Sequence, residues 1–237
     1  MTALPLVRSA TRVFAAAAAL SAAAYAAYVA HSWLAYGNPP APEADEMDDL
    51  LDQFMPEYDV VERHSLAIAA PPAVVLEAAK QQDLLELPLV SAIFRAREMA
   101  LGAAPGDPLQ PRGLLAAVQS LGWGILAERP GREIVVGAVT RPWEPKVTFR
   151  ALPPKQFAAY RTPGEVKIVW TLRADPASDG HSVFRTETRA EATDPVARDR
   201  FRRYWSFVSP GVSAIRWLSL LPLKREAERR AAGKEAA

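Results

Sequence analysis

Hydrophobic and polar positions alternate most regularly in the second half of the chain. Over residues 165–174, Val166, Ile168, Trp170 and Leu172 fall on one side, and Lys167, Thr171 and Arg173 on the other. That is the period of a β-strand. Over residues 181–191, Ser182, Phe184, Thr186, Thr188 and Ala190 share one face. Arg185, Glu187, Arg189 and Glu191 share the opposite face, an ion ladder suited to solvent. Residues 60–69 repeat the pattern, with Val60, Glu62, His64, Leu66 and Ile68 on one face. Residues 123–128 and 133–140 flank the turn Arg129-Pro130-Gly131-Arg132, which predicts a hairpin. A further strand is expected over 146–151, and a short helix or strand over 157–160.

The remaining periodicity is helical. Pro71-Pro72 ends the first strand, and Val74, Val75, Leu76, Ala78 and Ala79 predict a short helix to about Gln81. A second helix or helix pair is expected over 84–101 from Leu85, Leu89 and Ile93. Breakers mark 102–113 as a loop, and 114–121 carries a helical turn or two. Asp194 as N-cap and Pro195 at the first helical position open a long helix. Phe201, Trp205 and Val208 form its inward stripe, with Arg198, Arg202 and Arg203 off it. Pro210-Gly211 is expected to kink or restart that helix. Residues 231–237 read as a flexible tail.

The N-terminal third is different. Residues 13–30 form an apolar run, mostly Ala, broken only by Ser21, and with Trp33 and Tyr36 the run reaches 36. At ~1.5 Å per residue such a helix spans a hydrocarbon core of roughly 30 Å. The first reading is a transmembrane signal anchor over 1–36. Arg8 and Arg12 hold its leading end in the cytoplasm and place the following domain outside. A cleaved signal peptide and an Ala-rich soluble helix are the alternatives. Residues 37–56 read as a Pro/acidic linker, a solvated spacer in which Leu50, Leu51, Phe54 and Met55 could form a short docked helix. The folded domain then covers 57–230.

Charge sharpens this division. The chain carries 28 Lys+Arg and 27 Asp+Glu, a net charge of +1. That balance is a cancellation: residues 37–59 hold acids and no base, while the segment after Asp194 is strongly basic. There is no cysteine, which removes disulfides, thiol catalysis and Cys-based metal sites.

The order is strand, short helices, several antiparallel strands, then a long helix, an α+β arrangement. With the stretches Ala70-Pro71-Pro72 before Val74-Val75-Leu76, Pro130-Gly131-Arg132-Glu133-Ile134-Val135, Thr186-Glu187-Thr188-Arg189 and Thr193-Asp194-Pro195, it resembles the START-like superfamily. This is the Bet v 1-like group of polyketide cyclases and lipid-transport proteins. The resemblance covers about residues 60–225. It implies a helix-grip fold, a curved antiparallel sheet wrapped around the C-terminal helix, with an apolar cavity between them. Such cavities hold lipids, sterols, polyketides or other hydrophobic molecules.

The candidate ligand-lining residues are Trp123, Ile125, Ile134, Val136, Phe149, Trp170, Phe184, Thr186, Thr188, Phe201 and Trp205. The two threonines are polar groups on an apolar wall, which is how a pocket orients a ligand. The alternative is an ordinary filled core. No catalytic machinery, metal site or cofactor is read. The three histidines form no cluster, and Gly211-Val212-Ser213-Ala214-Ile215 lacks the second Gly of a nucleophile elbow. His64 with Glu62 is the pair that acid/base chemistry would use, an enzyme of cyclase or hydrolase type. The arginines around Phe201, Tyr204 and Trp205 imitate a nucleic-acid stacking pattern, but helical spacing turns Phe201 and Trp205 inward. The expected partners are therefore a hydrophobic small molecule and, through the N-terminal helix, a membrane, with no nucleic acid. An interaction module without ligand is the remaining alternative.

Overall fold

The computed structural model describes residues 4–84, 87–100, 102 and 113–235. The loop expected over 102–113 lies outside the described residues except at its two ends, as do the side chains of Arg8 and Arg12. The elements run α1 (Leu4–Ala35), α2 (Asp49–Asp52), β1 (Val60–Ile68), α3 (Pro72–Gln81), α4 (Pro88–Ala100) and α5 (Leu114–Ser120). They continue β2 (Gly124–Arg129), β3 (Glu133–Thr140), β4 (Phe149–Arg150), α6 (Pro154–Ala158), β5 (Val166–Pro176), β6 (Ser182–Ala192) and α7 (Pro195–Glu235).

The strands form one antiparallel sheet in the order β1-β6-β5-β3-β2, with β4 paired to β3. Each long alternating stretch became a strand in which one parity faces inward. Trp170 stands opposite Thr188 and Val136, and Leu172 opposite Thr186 and Ile134. The inward set packs with Val74, Val75 and Leu76 of α3 and with Leu220, Leu223 and Ala227 of α7. Each such fully buried aliphatic side chain contributes about 1.5–3 kcal/mol. The strand expected over 146–151 is reduced to Phe149–Arg150.

The outer face is covered too. Leu126, Val135, Val139 and Val169 pack against Leu50, Leu51, Phe54 and Met55, and against Phe157 of α6. β3 is consequently buried along its whole length. Gly137 makes this layer possible. A Cβ there would meet Leu126 Cδ1 at 2.6 Å and the Phe157 ring at 3.0 Å.

Two expectations are corrected here. The acidic segment is not a solvated spacer, and the β6 ladder does not face solvent. The segment is a strap that lies across the ladder. Asp45 pairs with Arg185 at 2.7 Å, Asp49 with Arg129 at 2.8 Å and Asp52 with Arg189 at 2.6 Å. Opposite charge draws the strap onto the sheet, and the apolar residues of α2 seal it.

The transmembrane helix expected from the Ala-rich run is not supported. Among the described residues no helix is long and apolar enough to cross a membrane. Alanine supplies little apolar surface, and the second half of α1 lies against α7. Tyr25 Oη donates to the Phe207 carbonyl at 2.7 Å, and the Ser32 and Ser209 hydroxyls are 3.1 Å apart. Arg202 donates to the Trp33 carbonyl at 2.8 Å, and its guanidinium lies 4.3 Å from the Trp33 ring centroid. Helix α7 starts as expected, with Asp194 Oδ1 accepting from the Val196 amide at 2.8 Å. It then continues as one helix through Pro210 and Pro222.

Candidate functional site

The inner face is mostly apolar and carries one charged patch. Glu62 and His64 of β1 are in register with Thr188 and Thr186 of β6. The period of two turns all four side chains inward. Across from them, α7 presents Arg216, whose Nη1 donates to Thr186 Oγ1 at 3.0 Å and Nη2 to Thr188 Oγ1 at 2.7 Å. Its guanidinium carbon lies 5.7 Å from the Trp170 ring centroid. Loss of hydration pushes the Arg216 pKa down to about 10, against the opposing charge of Glu62.

His64 Nε2 is 3.4 Å from Glu62 Oε2, yet this buried nitrogen has no hydrogen-bond partner. The His64 ring meets Trp217 edge-on at 5.6 Å. A buried ring nitrogen beside a carboxylate is the arrangement that proton transfer needs.

Sequence reasoning singled out Thr186, Thr188, Glu62 and His64 but missed Arg216. The signal was present. Arg216 follows Trp205 by eleven residues, three helical turns, and precedes the inward Leu220 by four. It therefore belongs to the buried stripe.

The other expected lining residues fall into four groups. Ile134, Val136, Trp170 and Phe184 belong to the packed inner cluster with α3 and α7. Trp123 stacks at a tilt on Phe149, centroids 4.8 Å apart, and meets Trp170 at 6.2 Å. Ile125 is 38% exposed near the sheet edge. Phe201 and Trp205 sit at the other end of the sheet, with Tyr36, Val60, Val166 and Ala190.

A cavity of about 840 Å³ opens on the flank of α7. It lies among Tyr25 of α1, Ile93 and Ala96 of α4, Trp143 of the β3–β4 connection, and Tyr204, Phe207, Val208 and Gly211 of α7, with Arg200 and Arg203 also lining it. None of the eleven expected residues lines it. Helix α4 can approach here because Gly211 carries no side chain: a Cβ would meet Ile93 Cγ2 at 3.0 Å.

On the outer face, Glu133 is 1% exposed and accepts from Thr171 Oγ1 at 3.3 Å. Burial, then its hydrogen bond to Asp48 and the Asp48 charge, push the Glu133 pKa up to about 8. Arg189, 2% exposed, donates to Glu187 Oε1 and to the Met55 carbonyl, each at 2.7 Å.

Neither a protein-family model nor a curated protein matches the chain. Solved structures that resemble it include a solution structure from Thermobifida fusca, with 17% identity, 71% of this chain and 93% of the other covered, and a TM-score of 0.32. Another is CalU16 from Micromonospora echinospora, with 12% identity, coverage of 73% and 86%, and a TM-score of 0.26. A third is the Zhui aromatase/cyclase from Streptomyces sp. R1128, with 16% identity, coverage of 72% and 94%, and a TM-score of 0.23. At these scores the likeness carries nothing about ligand or activity, and the fold rests on the chain's own pairing. One strand, short helices, an antiparallel sheet in the order β1-β6-β5-β3-β2 and a long closing helix give this chain an α+β helix-grip architecture.

Proposed function

We propose that the protein binds a hydrophobic small molecule, as a binding protein or carrier. The observation that carries this reading is the cavity of about 840 Å³ beside α7, lined mainly by apolar and aromatic groups. That volume matches a small-molecule site, for which roughly 300–1,000 Å³ is usual. The inner aromatic set Trp123, Phe149 and Trp170, with Thr186 and Thr188, is the second part of the proposed ligand surface. The test is native mass spectrometry of the full chain with lipid extraction, followed by titration with a fluorescent fatty-acid probe. A co-purifying hydrophobic molecule, and at least tenfold weaker probe binding by Val208→Trp, are expected. Absence of both sinks the reading.

A second reading is an enzyme that uses His64 as acid/base, oriented by Glu62. It is favoured by their 3.4 Å separation and the unpartnered Nε2. Turnover of any hydrophobic substrate that survives His64→Ala unchanged removes it.

A further inference from the structure

Arg216 is a cation placed where a cation is costly. It leaves α7 on the side that faces the sheet, and it is only partly exposed. A half-buried guanidinium is ordinarily matched by a carboxylate, because desolvation is otherwise uncompensated. Here, among the described residues, no carboxylate oxygen lies within the 4.0 Å of an ion pair. Its hydrogen bonds go to two neutral hydroxyls, Thr186 and Thr188. Glu62, whose charge reaches Arg216, is turned to His64 instead, 3.4 Å from Nε2.

A guanidinium has five N–H donors in a planar fork. Two are engaged by the threonines, which leaves three and fixes the orientation of the plane. The neighbouring surface is apolar: the guanidinium carbon stands 5.7 Å from the Trp170 ring centroid, and Trp170 adjoins Trp123. A positive fork with spare donors beside an aromatic wall suits a molecule with an acid head and an apolar body.

We propose that Arg216, held by Thr186 and Thr188, recognises the acid group of an amphipathic ligand, a carboxylate or a phosphate ester. This rests on the reading of the protein as a binder of hydrophobic molecules. It adds the chemistry of the ligand's polar end and the residue that meets it. Glu62 repels the same group, so the pair Arg216/Glu62 sets how strongly an acid is preferred over a neutral head.

The test is calorimetric titration of the full chain with dodecanoic acid, dodecyl phosphate and dodecanol, below their micelle-forming concentrations. The wild-type chain is expected to bind one or both acids at least tenfold more tightly than the alcohol, and the two acid arms tell carboxylate from phosphate. Arg216→Leu abolishes that preference while the alcohol's affinity stays within about threefold. Arg216→Lys, which keeps the charge and loses the fork, retains an intermediate preference. Glu62→Gln widens the preference for acid over alcohol, an outcome that a purely structural Arg216 does not produce. Equal binding of acid and alcohol by the wild type, or a preference that survives Arg216→Leu, overturns the proposal and leaves the binding function standing. Failure of all three compounds to bind overturns both.

Discussion

Arg189 of β6 and Asp52 of α2 are 137 residues apart in sequence and 2.6 Å apart in space. The arginine belongs to a strand face that alternation alone would leave in water. The aspartate belongs to a segment whose prolines and acids read as a spacer. Their contact, closed over by Met55 and by the Tyr58 ring 4.7 Å from the guanidinium, turns both into parts of one outer layer.

Arg189→Ala should destabilise the fold by about 3–5 kcal/mol, because removing one partner of a buried pair leaves the other uncompensated. Glu187, itself buried, loses its 2.7 Å bond and, among the described residues, keeps the ion pair with Arg63 at 3.2 Å. Asp52→Asn should cost no more than about 1 kcal/mol, since an exposed carboxylate contributes little. Urea unfolding of the two variants checks the order. Equal losses would show that the strap's own charge, and not burial of Arg189, holds the layer.

Glu133 should make stability fall as pH rises. Its folded pKa stands at about 8, above the ordinary carboxyl value of 4.5, because burial and then the neighbouring Asp48 disfavour its charge. Arg129 at 3.2 Å and the Arg173 charge oppose the shift, and Thr171 Oγ1 donates to it. The folded state therefore holds the proton more tightly than the unfolded chain does. The associated stability is complete below about 4.5 and is lost as pH climbs through about 8. Chemical denaturation at intervals from pH 5 to 9 should show the decline, and Glu133→Gln should flatten it. A wild-type profile that rises across that range contradicts the assignment.

Gly137→Ala should destabilise by about 1–3 kcal/mol through overpacking. The added methyl meets Leu126 and Phe157 at once, and neither can retreat from a layer closed by Leu51 and Met55. The companion change Leu126→Ala in the same background should recover part of the loss. Thermal melts of the single and double variants measure this, and simple additivity would place the strain elsewhere.

Much of the fold is legible in the residues taken in order. The alternation over 165–174 and 181–191 marks β5 and β6, because a strand turns successive side chains to opposite faces whatever lies beyond them. Asp194-Pro195 marks the start of α7, because the cap satisfies amides only two and three residues away. The inward pairing of Thr186 and Thr188 follows from the same local geometry. The strap is not legible this way. Period two tells which side chains share a face and is silent about what covers it, so Arg185 and Arg189 look like solvent residues until Asp45 and Asp52 are brought to them.

The site divides along the same line. The sequence by itself determined the order of elements, the inward face of each strand and the absence of thiol chemistry. Only the tertiary structure decided that Arg216 meets Thr186 and Thr188, with no ion-pair partner among the described residues, and that the large cavity lies beside Trp143, Tyr204 and Val208. It also decided that α1 packs along α7. Local periodicity is a property of neighbouring residues, whereas the partner of a charge and the boundaries of a cavity are set by segments a hundred or more residues away, whose meeting depends on how the whole chain packs.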